Sequence, residues 1–201
     1  MGWHAPGMPS SITESWVRIE QWLACHAPGT FAGLEPPAEL SAIADAERVI
    51  GLPFPEPLKE SLLRHNGTGY HGVLPPFWGL LSAQDIAARW VMKMEISHGG
   101  DAEPDDPDAE HGPWWHRLWI PFATNGCGDD LVIDQRQYQR RGRVGNADHE
   151  TGCFFSSRPP WTSLPALMEA TATVLETGKP LDTYFPVTDE EGDLDWASTE
   201  D

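Results

Sequence analysis

Apolar residues recur at helical spacing through the first third of the chain. Between residues 119 and 155 they give way to short runs rich in β-branched and aromatic side chains. Thr13 to Ala24 places Trp16, Ile19 and Leu23 on one face, with Glu14 near the start, and Pro28-Gly29 marks its end. Pro36-Pro37 opens a second helix whose apolar side is Leu40, Ile43, Ala44 and Ile50 and whose stop is Gly51. Leu58 to His65 reads as a third, short helix halted by Asn66-Gly67. Phe77 to Leu81 reads as a strand or an extended pass beside the sheet. Ser82-Ala83-Gln84-Asp85 resembles a capping box with Asp in place of Glu, starting a helix that carries Ile86, Trp90 and Met94.

The chain is organised around the stretch from Trp114 to Gly152. Trp119 to Ala123 is a short apolar run. Thr124 to Gly128 supplies turn residues, and Leu131-Val132-Ile133 is a β-branched strand closed by Asp134. Arg143-Val144-Gly145 and Cys153-Phe154-Phe155 follow as two more short strands. Parallel pairing would need long crossovers, so this spacing predicts an antiparallel meander. Ser163 to Thr177 is the clearest helix signal, with Pro165 in its first turn and Gly178 behind it, and it is expected to pack against the strands. The expected class is α+β, an antiparallel-to-mixed central sheet flanked by helices. The expected organisation is a lead over 1–12, one domain over 13–180 with an acidic insertion at 99–112, and an acidic tail over 181–201. Tyr184, Phe185, Leu194 and Trp196 stand alone among the tail's acids, which leaves open whether it docks.

Net charge is −18, with 31 acidic against 13 basic residues. Its distribution matters more than its size. Asp101, Glu103, Asp105, Asp106, Asp108 and Glu110 lie in a stretch without Lys or Arg, and residues 182–201 carry eight more acids, also without a base. The acidity is local, and the remainder of the chain is nearer balance. Such a surface disfavours nucleic acid and anionic bilayers as partners and suits a basic protein, although solubility alone also explains acidic segments. No run of about 18 apolar residues suggests a membrane span. The N-terminal residues lack the basic flank and apolar centre of a secretory signal. Three cysteines, Cys25, Cys127 and Cys153, without a CxxC pair point to a reducing, cytoplasmic setting.

Candidate chemistry is sparse. Gly126, Gly128 and Asp129 form no phosphate-loop pattern, and a strand follows them, so a β-turn is the better reading. Asp129, Asp130 and Asp134, with Asp148, His149 and Glu150, could serve as paired carboxylates or metal ligands, but no EF-hand spacing is present. The eight histidines lack zinc-site spacing, and His65 reads as a cation at a helix C-terminus. Cys127 sits between two glycines without a partner base placed by the sequence. No catalytic residue, metal or cofactor is therefore expected; a hydrolase using Asp129 and Asp134 is the alternative. Core packing accounts for Trp119. Trp114 and Trp115 would face opposite ways on a strand, leaving at least one exposed beside the acidic segment as a partner-binding anchor.

Four blocks in order resemble the SUKH superfamily, which contains fungal cell-wall assembly regulators and many bacterial immunity proteins. They are Ile43-x-x-Ala46-Glu47-x-x-Ile50-Gly51 with Phe54-Pro55-x-x-Leu58-Lys59 and His65-Asn66-Gly67; Phe77-x-Gly79-Leu80-Leu81-Ser82-x-x-Asp85-Ile86; Trp119 to Ala123 with Gly126-x-Gly128-Asp129 and the strand to Asp134; and the helix from Ser163 to Leu175 with Gly178. The resemblance implies an α+β domain without catalytic machinery that binds another protein, most often a toxin it neutralises in the cytoplasm. A regulator or scaffold of the cell-wall assembly type is the alternative it offers. The acidic insertion and the acidic tail depart from the usual pattern.

Overall fold

A computed structural model describes residues 11–97, 106 and 109–200. Six helices and seven strands follow in order: α1 Ile12–His26, α2 Pro28–Ala32, α3 Leu40–Ile50, α4 Glu56–Arg64, β1 Gly79–Leu80, α5 Ala83–Ile96, β2 Trp119–Thr124, β3 Asp130–Asp134, β4 Val144–Asp148, β5 Gly152–Phe154, α6 Leu164–Thr177, β6 Tyr184–Thr188 and β7 Leu194–Ser198. The predicted meander is present. β1 to β5 pair in sequence order, every pairing antiparallel. Pro121 lies within β2, which has a neighbour on each side. Its missing N–H is accommodated because the register with β3 shifts between Pro121 and Ala123.

Caps and turns set the helix limits. Ser11 and Glu14 form a reciprocal capping box on α1, and Ser82 and Ser163 accept from Asp85 and Ala166 N–H to cap α5 and α6. Gly51 and Gly178 end α3 and α6 in the left-handed region, at φ 70 and φ 63. Pro28 ends α1 as expected but also opens α2, an element the sequence reading missed. A proline is tolerated in a first turn, where its absent N–H would have no intrahelical partner.

The blocks behind the family resemblance act as brackets between elements. Glu47 of α3 accepts the Phe54 N–H at 2.7 Å and pairs with Lys59 Nζ at 2.9 Å, tying α3 to α4. Asn66 Oδ1 accepts the Ala83 N–H at 2.9 Å at the start of α5. Gly67, at φ 94, passes so close to β1 that a Cβ would lie 2.9 Å from Leu80 O.

Alternation along the strands divides the interior in two. Ile120, Phe122, Leu131, Ile133 and Val144 join the helices in the larger core, with Trp16, Ile19 and Leu23 of α1 and Leu167 and Met168 of α6. Trp119, Val132, Ala147, Cys153 and Phe155 form a smaller core with Trp115, covered in part by Trp90 and Met94 of α5. α6 packs chiefly along α1 rather than along the strands, and Arg18 braces the pair through Glu169 at 2.8 Å and Glu176 at 2.6 Å. The chain end does dock. β6 and β7 form a hairpin whose Leu194 and Trp196 are buried, and Leu194 N–H reaches Thr30 Oγ1 at 2.8 Å while Trp196 Nε1 reaches Gly72 O at 2.8 Å.

Candidate partner-binding face

The acidic segment is anchored where it rejoins the sheet. Phe155 N–H donates to Glu110 O at 2.7 Å, Gly112 N–H to Cys153 O at 2.8 Å and Cys153 N–H to Pro113 O at 3.2 Å, so residues 110–113 cover the edge of β5. A side chain at Gly112 would press on Trp119, whose ring lies 3.1 Å from the position of a Cβ. Asp106 is exposed; Glu110 is exposed and accepts from Ser157 Oγ at 3.0 Å. Asp101, Glu103, Asp105 and Asp108 lie outside the described residues.

Residues 114 and 115 lie outside the strands, yet they do face different environments. Trp115 is 1% exposed and edge-on to Trp119, with ring centroids 6.0 Å apart. Trp114 is half-buried, donates from Nε1 to His149 O at 2.9 Å, and has Lys93 Nζ 5.2 Å from its ring centroid. Only Trp114 of the two reaches the surface, backed by Trp115 through the shared lysine. Lys93 is the residue that sequence reading missed. It lies on α5, is 3% exposed, and is held by Asp130 at 3.1 Å and Gly128 O at 2.9 Å. Arg89 meets the same Asp130 at 2.5 Å and Thr124 Oγ1 at 2.9 Å. A buried lysine is invisible in sequence because its partners come from two remote segments, residues 114–115 and 128–130.

The candidate carboxylates are dispersed among different partners. Asp129 accepts from His149 N–H at 2.9 Å, His149 Nδ1 at 2.6 Å and Asn125 Nδ2 at 2.7 Å. Asp134, fully buried, accepts from Arg136 Nη2 at 2.7 Å, Tyr138 Oη at 2.5 Å and Arg136 N–H at 3.0 Å, with Arg143 Nε at 3.5 Å. Burial pushes the Asp134 carboxyl up, and these donors offset that only in part. Asp130 and Asp134 share a face of β3, but four residues of extended chain separate them by roughly 13 Å, too far for a carboxylate dyad. Among the described residues no group of three His, Cys, Asp or Glu is placed to hold a metal ion. Burial pushes the Cys153 thiol well up, the opposite of an activated thiolate. Cys127 is exposed on a turn closed by Asn125 Oδ1, and His149, which packs against Gly128, directs Nδ1 to Asp129. His65 is a bracket: Nδ1 meets Glu35 O at 2.8 Å, Nε2 meets Glu20 Oε1 at 2.9 Å, and the ring stands edge-on to Trp16.

The Asp129 contact raises the His149 pKa above its ordinary value, and Asp129 stays below its own because the bonds from His149 and Asn125 outweigh burial. A raised histidine contributes stability that is complete below about pH 6.5 and fades as pH rises through the folded value. NMR titration of the His149 ring should therefore give a midpoint above 6.5, and Asp129→Asn should bring it down. An unchanged midpoint in that variant would show that Asp129 does not hold the imidazolium.

The sequence pattern of the SMI1/KNR4 family (SUKH-1) matches residues 37–159, from the turn before α3 through the five-stranded sheet. The chain belongs to this family. Cell wall assembly regulator SMI1 of Saccharomyces cerevisiae (strain ATCC 204508 / S288c) is 26% identical over 160 residues. That match covers 60% of this chain and 32% of the yeast protein, so the chain corresponds to about a third of that relative's length. The SUKH-1 match takes in Trp114, Trp115, Lys93 and the acidic insertion and leaves α1, α6 and the β6–β7 hairpin outside it.

Proposed function

We propose that this SUKH-1 chain is a non-enzymatic, cytoplasmic protein-binding domain whose partner is a basic toxin domain that it neutralises. The observation that carries the reading is the charge distribution along the chain: six acids fall in residues 101–110, a few positions before Trp114 and Trp115, whose rings share Lys93. Occlusion needs no chemistry of its own. Asp101, Glu103, Asp105, Asp106, Asp108 and Glu110 steer a cationic surface at encounter, and Trp114, with Trp115 behind it, supplies the desolvated anchor. A regulator of the cell-wall assembly kind is the second reading, and it rests on the yeast relative. The hydrolase alternative gains nothing from carboxylates occupied by arginine, lysine, histidine and tyrosine. Among the described residues no helix is long and apolar enough to cross a membrane.

Capture from the native host followed by stopped-flow binding tests the reading. A captured basic toxin whose activity the chain abolishes supports neutralisation; a captured cell-wall enzyme left active supports regulation instead. Neutralising the six acids should slow association roughly tenfold at low salt and barely alter dissociation, because exposed charges are screened over about 8 Å at physiological ionic strength. Equal on-rates for both proteins at low salt would reduce the acidic segment to a solubility device.

A further inference from the structure

The most cationic part of this acidic chain is a single connection between two strands of the sheet. Residues 135–143, QRQYQRRGR, carry four arginines and no acid, in a chain with 13 basic and 31 acidic residues. They form the connection between β3 and β4, where Gly142, at φ 91, turns the chain back so that its N–H donates to Asp134 O at 2.7 Å. Between this connection and residues 156–162 lies a pocket of about 290 Å³ lined by Arg140, Arg141, Arg143, Ser156, Ser157 and Thr162, with Gln139. Every lining side chain carries a hydrogen-bond donor and none is a carboxylate.

We propose that this pocket is an oxyanion site that takes a phosphate group. Its floor is rigid. Arg143 is 4% exposed, lies 4.0 Å over the Phe155 ring, and is fixed by Asp134 at 3.5 Å and Ala109 O at 3.2 Å. Its rim faces solvent: Arg140 and Arg141 are exposed. Arg141 Nε and Nη2 share Gln135 Oε1 at 3.3 and 3.0 Å, a neutral acceptor that orients the guanidinium without cancelling its charge. Guanidinium forks together with hydroxyl donors from a second segment match a tetrahedral head with several oxygens better than a planar carboxylate. Among the described residues two acids approach the lining: Asp134 beneath Arg143, and Glu110 at the edge, which accepts from Ser157 Oγ at 3.0 Å, so an entering phosphate displaces that bond or shares the hydroxyl. The volume exceeds that of a bare phosphate, leaving room for the group it is attached to. A small-molecule phosphate and a phosphorylated side chain present the same chemistry.

Calorimetric titration at constant ionic strength tests this, with inorganic phosphate in one arm and a phosphoserine peptide beside its unphosphorylated form in the other. Saturable binding in either arm is expected, and the arm that saturates tighter identifies the source. Arg140→Ala/Arg141→Ala should weaken it at least tenfold. Arg140→Lys/Arg141→Lys, which keeps the charge but loses the fork, should weaken it less than the alanine pair but measurably. Arg48→Ala/Lys179→Ala, which removes the same charge from exposed positions elsewhere, should leave it unchanged. No saturable binding in either arm, or an equal loss in the Arg48/Lys179 variant, would overturn the site. Because the substituted rim residues are exposed, the wild-type titrations decide the matter even if a variant is impaired. None of these outcomes depends on the toxin-binding reading.

Discussion

Asp134→Ala is expected to destabilise the fold by about 3–5 kcal/mol, the cost of leaving buried cations without their counter-charge. Asp134 is fully buried at the end of β3, and Arg136 and Arg143, both nearly buried, converge on it with Tyr138. Removing the carboxylate takes the shared acceptor from two guanidiniums that lie beside the aromatic rings of Trp119, Tyr138 and Phe155. Asp134→Asn keeps the shape and one acceptor oxygen, so it should be destabilised less, though still clearly. Urea unfolding followed by tryptophan fluorescence measures both. If the chain neutralises a toxin as proposed, any loss of that activity should track the loss of folded protein. A stable Asp134→Asn protein that binds its partner normally yet loses activity by orders of magnitude would return the hydrolase reading to contention. Asp129→Asn should leave activity largely intact.

Trp119→Ala should cost a similar amount, about 3–5 kcal/mol, through the cavity it leaves. The ring is wholly buried at the start of β2, edge-on to Trp115 and to Phe155, whose centroid is 5.4 Å away, and roofed by the chain at Gly112. It is the centre of the smaller core, packed between the Trp115 and Phe155 rings, so its removal opens a cavity at the middle of that cluster. Trp119→Phe should cost less, because the indole Nε1 makes no hydrogen bond among the described residues and its removal strands no partner. Trp114→Ala is the informative contrast. Half-buried and, among the described residues, hydrogen-bonded through its indole to His149 O, Trp114 should cost far less stability when removed and, as the proposed anchor, should instead speed dissociation of the partner. If Trp114→Ala unfolds the protein while leaving the dissociation rate of the folded fraction unchanged, the ring is a structural wedge and the anchor lies elsewhere. Differential denaturation and dissociation kinetics separate the two effects.

Local signals account for most of the architecture. Ser82 and Ser163 announced helix starts because a cap is decided by residues three positions apart, whereas the Ser11 cap on α1 went unread and that start was placed at Thr13. β-branched runs broken by Gly and Asn announced β2 to β5 because short spacing permits only hairpin connections. The failures have equally local causes. Pro28 serves as a stop and a start at once, so α2 went unseen. The β6–β7 hairpin was not predicted because its apolar residues Leu194 and Trp196 alternate with Asp and Ala over too few positions, and its acids mimic a solvated tail.

What the sequence by itself determined is the order and type of the main elements, the antiparallel sheet, the SUKH-1 membership and the localisation of negative charge. Those depend on spacing, propensity and composition, which are written along the chain. Only the tertiary structure decided which charges are buried and which aromatic rings face solvent. Lys93 and Asp130 lie 37 positions apart and are neutralised by meeting; Trp114 and Trp115 are adjacent, yet one is half-buried and the other sealed. The arginines of residues 135–143 become a pocket only because residues 156–162 return beside them with hydroxyl donors. Burial of a charge and convergence of donors depend on distances between remote segments, and those distances exist only after the sheet has closed on its helices.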